Sequence, residues 1–282
     1  MELAIRFGMM LEQTRPQVVV FDGTWPFQGF LTACRAYKRK LKLVWSNRGL
    51  LKKGGKEVPV DVSQFDLIIA PGELGAIYNE TVLPGGGKKI IVPPVALLND
   101  CELLNREDAR HRLNMAPQER YVLFSLGSGN LKDVDGVGQK LIHRFQERGY
   151  RVVWACAPIS VQDIKLPSTV MPVSVYPLVR YLKAFDAFVA AAGYNTCCEI
   201  VQTQIPSLLI PNTLLADDQA RRAGIVAEHA PAVVSCCEAE EEIGGALQTL
   251  FQLVETHQPS LCTLSMDGAT LVAEAIIGIS TH

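Results

Sequence analysis

The sequence predicts an α/β protein of two Rossmann-like units, and three observations carry that reading. Short runs of β-branched and aromatic residues alternate with helical patterns, which implies parallel strands joined by helical crossovers. Several of these runs end in turn signals, among them Asp22-Gly23, Pro71-Gly72 and Gly127-Ser128-Gly129-Asn130. The chain has 282 residues, more than one typical domain holds, and the alternation lapses over residues 99–119. The expected division is therefore a domain over 1–98, a linker over 99–119 and a domain over 120–282.

Taken in order, residues 3–13 form an amphipathic helix with Leu3, Phe7, Met10 and Leu11 on one side, broken by Pro16. Val18–Phe21 is a buried strand ending at Asp22-Gly23. A helix over Gly29–Arg39 leads to strands at Leu41–Trp45, Phe65–Ala70 and Lys89–Val92. After the linker come a strand at Tyr121–Leu126, the glycine loop, a helix from Val134 to Arg148, and strands at Arg151–Ala157 and Val170–Val175. A short helix covers Leu178–Ala184. Val233–Val234 is a short strand, Glu238–Glu242 opens a helix with an acidic first turn, and Gly268–Ile277 is a closing amphipathic helix.

Composition excludes several classes. Hydrophobic residues make up 48% and charged residues 20%, which is ordinary for a globular chain, and a net charge of −2 argues against a nucleic-acid partner. No apolar run approaches the roughly 20 residues that span a bilayer. The opening MELAIRFGMM is not a secretory signal, so a cytoplasmic location is expected. None of the eight Cys forms a C-x-x-C and the five His do not cluster with them, so neither zinc nor another metal is expected. From Arg35 to Lys56 there are nine Lys or Arg and no acid. Trp45, Leu50 and Leu51 lie among them, which motivates an expectation of peripheral contact with an anionic membrane.

The densest pattern runs from Phe185 to Arg222. An apolar strand ends in Gly193, and the polar turn Tyr194-Asn195-Thr196 opens a helix carrying Glu199. A second strand, Ser207–Ile210, closes on Pro211, and a loop brings Asp217, Asp218 and Gln219 to another helix start. A helix N-terminus after a glycine turn is an anion site. Glu199, three residues after Thr196, has the spacing of a capping box and equally suits a ligand-facing acid. Asp217–Gln219 reads as a helix cap or as a set of hydroxyl-binding groups, and Arg221 and Arg222 as part of a solvated helix face. Ligands of open α/β sheets bind beyond the carboxyl ends of the strands, which selects these loops together with 127–130, 176–177, 22–28, 46–49 and 71–75.

The segments FSLGSGN, YPLVRYLKAFDAFVAAAGYNTCCE, IPSLLIPN and ADDQARRA resemble the donor-binding domain of GT-B glycosyltransferases. They are most similar to the family 28 group, which includes the N-acetylglucosaminyltransferase of lipid-linked peptidoglycan synthesis. The resemblance covers roughly residues 120–282. It implies that Glu199 accepts from ribose hydroxyls and that Gly193, Tyr194, Asn195 and Thr196 meet a diphosphate. It implies further that Ser128 and Gly129 close over the phosphates, that the backbone at Tyr176 recognises uracil, and that Asp218 and Gln219 contact the donor sugar. The implied reaction is metal-independent, inverting transfer of a hexosyl or N-acetylhexosaminyl group from a nucleotide sugar, expected to be UDP-linked, to an acceptor hydroxyl. No cofactor is expected. Asp22, at a strand's carboxyl end, is the candidate base, with Glu73 in PGELG its rival.

Residues 1–95 resemble only the later part of a GT-B acceptor domain. Its opening strand and glycine-rich loop have no counterpart, so a reduced or truncated N-terminal domain is expected, with a partner chain as one source of the missing part. Two rival functions share the architecture. UDP-N-acetylglucosamine 2-epimerases carry an S-G-G-x-x-E-E pattern where this chain has AGYNTCCE, and a noncatalytic donor-binding subunit would need a partner for turnover.

Overall fold

In the computed structural model the described residues are 2–23, 25–47, 50, 60–74, 79–82, 85–126, 136–156, 166–212, 217–237, 239–257, 262 and 264–280. The chain divides into two compact units. One comprises Met1–Val95, Leu215–Asp217 and Leu264–His282, the other Ala96–Leu214 and Asp218–Thr263.

The first unit holds α1 (Glu2–Thr14), α2 (Gln28–Ala36) and the strands β1 (Val18–Asp22), β2 (Lys42–Ser46), β3 (Leu67–Pro71), β4 (Asn79–Val82) and β5 (Lys88–Val92). Their order is β1-β2-β3-β5-β4, parallel except for the antiparallel β4–β5 pair. β4 has too few apolar residues to read as a strand. Side chains alternate across the sheet, as the two-residue period requires. Leu43, Trp45 and Ile68 join Phe30 and Leu31 of α2 on one face, and Phe7 of α1 meets Phe30 edge-on at 5.4 Å. Val44, Leu67, Ile69, Ile90 and Val92 form the other face.

That second face is covered by the closing helix, Gly268–Ser280, through Leu271, Val272, Ala275, Ile276 and Ile279. Residues 264–282, expected in the C-terminal domain, therefore belong to the first unit. The cause is apolar burial: a parallel sheet needs both faces covered. Gly268 permits the approach, because a Cβ there would collide with the Pro93 carbonyl oxygen. Trp45 is buried and its indole Nε1 donates to the Gly23 carbonyl at 2.9 Å, so it is not a membrane-facing residue. Arg48, Leu51, Lys52, Lys53 and Lys56 of the basic run lie outside the described residues. Among the described residues no helix is long and apolar enough to cross a membrane.

The second unit contains α3 (Arg106–Arg112), β6 (Arg120–Ser125), α4 (Val137–Glu147), β7 (Tyr150–Ala155), β8 (Val170–Val173), β9 (Ala187–Ala190), α5 (Tyr194–Thr203), β10 (Ser207–Leu209), α6 (Gln219–His229), β11 (Ala232–Val234) and α7 (Glu240–Thr256). The six strands run in the order β11-β10-β9-β6-β7-β8, and every pair is parallel. The chain thus works outward from β6 to β8, then returns to β9 on the other side of β6. This is the doubly wound order, and its switch point lies between β6 and β9. An aromatic cluster of Phe124, Phe145, Tyr150, Trp154 and Phe251 packs α4 and α7 onto one face.

Residues 99–119 are not a bare linker. Asn105 caps α3, and the buried Arg110 donates to the carbonyls of Ala184 (2.8 Å), Pro117 (2.6 Å) and Glu119 (3.0 Å) and pairs with Asp186. A buried guanidinium is tolerated only when its donors are satisfied, and satisfying them here fastens the segment to the second unit.

Candidate functional site

The register of the second sheet sets the carboxyl ends of β6, β9 and β10 side by side. The Ala191 N–H donates to the Ser125 carbonyl at 3.1 Å, and the Ile210 N–H to the Ala190 carbonyl at 2.9 Å. The chain leaving β9 passes through Ala191 and Ala192 to Gly193, the N-cap of α5. Gly193 has φ −68° and ψ 153°, extended backbone open to any residue, and as a glycine it offers the helix no capping side chain. A Cβ on Gly193 would meet nothing within 4 Å. The backbone N–H groups of Asn195 and Thr196 find no acceptor among the described residues. The result is a positive helix end at which two N–H groups are unengaged among the described residues.

Glu199 lies one turn further along α5. Thr196 is the third helical residue, not the N-cap, so the capping box expected of Thr196 and Glu199 does not form. The Glu199 carboxyl is half-buried and has no partner among the described residues, and burial pushes its pKa up to about 7. Removal from water without a compensating hydrogen bond disfavours the charged form. An unpartnered acid of this kind, close to an anion site, is suited to accept hydrogen bonds from a ligand's hydroxyls.

Helix α6 starts nearby and is anchored on β10's side of the site. Asp218 caps it, accepting from the Arg221 N–H at 3.1 Å. The buried Gln219 accepts from the Asn212 N–H at 2.9 Å through Oε1, which leaves its amide NH2 unengaged among the described residues. The cap role of Asp218 is separable from ligand contact. Asp218→Ala should lower unfolding stability by about 1 kcal/mol in urea titrations, whereas Asp218→Asn keeps the cap and should stay within a few tenths.

Arg222 departs from the sequence reading. It is 1% exposed, not solvated, and its Nη1 donates to the Ala192 carbonyl at 3.2 Å. Its guanidinium carbon lies 5.9 Å from the centroid of the Tyr194 ring. A signal for this was present: Arg222 stands three residues after Gln219 and four before Val226, on the face of α6 that is buried.

Tyr176 follows β8, the edge strand, and is 77% exposed, on the carboxyl side but with β7 between β8 and β6. Ser128 and Gly129 lie outside the described residues. Asp22 ends β1 and is exposed, and Glu73 follows β3. Both stand at the carboxyl edge of the first sheet, with β2 between their strands.

No family model matches the chain. A UDP-N-acetylglucosamine–N-acetylmuramyl-(pentapeptide) pyrophosphoryl-undecaprenol N-acetylglucosamine transferase of Bacillus licheniformis is 28% identical over 131 residues. The match covers 43% of this chain and 36% of that relative, so it spans about a third of the relative's length. Among solved structures, spinosyn forosaminyltransferase SpnP superposes with a TM-score of 0.54 at 15% identity, covering 97% of this chain and 75% of its own. MurG of Acinetobacter baumannii superposes with a TM-score of 0.52 at 12% identity, covering 98% and 77%.

Proposed function

We propose that this chain, which has the α/β GT-B fold of the glycosyltransferases it resembles, binds a nucleotide sugar in its second unit and transfers the sugar to an acceptor hydroxyl. The observation that carries the proposal is the pairing of a helix N-terminus, whose Asn195 and Thr196 N–H groups are unengaged among the described residues, with the Glu199 carboxyl, which likewise has no partner among them. They share one helix, α5, beside the switch point of the sheet. The diphosphate would lie against the N–H groups of Asn195 and Thr196, with Ser128 and Gly129 opposite. Glu199 would take the ribose hydroxyls, the backbone at Tyr176 the base, and Asp218 with the Gln219 NH2 the sugar hydroxyls.

A UDP-linked hexose or N-acetylhexosamine is the favoured donor, because the matched relative is named for UDP-N-acetylglucosamine. In the reaction the acceptor oxygen attacks the anomeric carbon with inversion and loses its proton to a carboxylate, for which Asp22 and Glu73 are the candidates. The bond from that carbon to the diphosphate oxygen breaks, and UDP departs. The positive end of α5 would stabilise the charge developing on the leaving group, where a divalent metal serves in other designs. Contact with a membrane-borne acceptor and help from a partner chain belong to the same proposal.

The test is calorimetric titration of the purified chain with UDP and UDP-N-acetylglucosamine, followed by assay of UDP release with and without acceptor lipids. Binding with release supports the transferase. Binding without release supports a donor-binding subunit, and no binding of either nucleotide rejects the reading.

A further inference from the structure

We infer that Arg222 is a positioning residue for the diphosphate site, acting as a clamp on the turn at Gly193. The inference rests on the donor-site reading above. Arg222 touches the chain on both sides of Gly193: it donates to the Ala192 carbonyl at 3.2 Å and lies over the Tyr194 ring at 5.9 Å. Its own helix is held at the same, N-terminal end. The Gln219 amide is tied to the Asn212 N–H just beyond β10, and the Arg222 N–H donates to the Asp218 carbonyl at 3.2 Å. Two side chains of α6 therefore share the work: Gln219 holds the segment after β10, and Arg222 holds Ala192 and the first residue of α5.

A guanidinium at 1% exposure is costly to bury. A solvated arginine on α6 would avoid that cost, and a leucine would fill the space without it. The planar fork can serve a carbonyl and an aromatic face together, which a lysine ammonium cannot. What it fixes is the direction of the Asn195 and Thr196 N–H groups. Errors of about 1 Å in such donors reduce function on the order of a hundredfold.

The experiment compares UDP with uridine, which lacks the phosphates, by calorimetry on wild type, Arg222→Met and Arg222→Lys. Arg222→Met should weaken UDP at least tenfold while uridine changes less than twofold. Arg222→Lys, which still reaches the Ala192 carbonyl, should recover part of the loss. Should Arg222→Met not fold, a cycle of Arg222→Lys with Tyr194→Leu carries the test, with a double variant whose UDP loss is smaller than the two single losses combined. Equal losses for UDP and uridine, unchanged UDP affinity, or a fully additive cycle overturn the assignment. Failure of wild type to bind UDP overturns the donor-site reading itself, and this assignment with it.

Discussion

Gly193→Asp will leave the fold intact or slightly strengthen it, and will weaken UDP binding by two orders of magnitude or more. The first half follows from backbone geometry. Gly193 sits at φ −68° and ψ 153°, and a Cβ there meets nothing within 4 Å. Aspartate is among the preferred N-cap residues and replaces glycine with a gain of a few tenths of a kcal/mol. Its charge faces the positive end of α5, adding about 0.3–1 kcal/mol. The second half follows from the same chemistry. A capping carboxylate accepts from the N–H groups of the first turn, the donors assigned here to the diphosphate. It also presents like charge to the ligand. Thermal unfolding measures the first effect and calorimetry with UDP the second. Uridine, which needs no anion site, should lose far less. A Gly193→Asp protein that binds UDP as wild type does would show that the diphosphate lies elsewhere.

The second large effect concerns pH. The Glu199 carboxyl titrates near 7, because burial raises it and no partner lowers it. A ribose diol donates two hydrogen bonds and so favours the carboxylate. Binding and proton loss are then linked, and uridine affinity should rise about tenfold between pH 6 and pH 8 as the carboxylate fraction grows. Glu199→Gln should flatten this profile and weaken binding about 10- to 100-fold, the value of charge-assisted hydrogen bonds. Stability moves the opposite way. The folded protein holds this proton more tightly than the unfolded chain, so the contribution is present at low pH and is lost as pH rises from 4.5 to about 7. The loss is at most about 3 kcal/mol. Glu199→Gln should accordingly be more stable than wild type at pH 8 and close to it at pH 4, as urea titrations at both values would reveal. A uridine profile flat in wild type would remove Glu199 from the ribose.

Local sequence patterns account for most of the element types and for the location of the turn, β4 and α3 excepted. β-branched runs such as Val18–Phe21 and Tyr121–Phe124 form strands for local reasons, and Gly193-Tyr194-Asn195-Thr196 opens a helix for local reasons. The family resemblance on those segments agrees with the GT-B fold found by superposition. Whatever depended on which distant residues meet was decided only in the tertiary structure. Strand order placed the switch point between β6 and β9. Apolar burial drew the closing helix onto the first sheet and away from the domain that precedes it in sequence. Arg222 and Glu199 illustrate the limit most plainly. An arginine three residues into a helix reads as solvated, and a glutamate three residues after a threonine reads as a cap. Arg222 is buried with its guanidinium on the carbonyl of Ala192, 30 residues away, Glu199 is removed from water by burial, and a local pattern contains no measure of either.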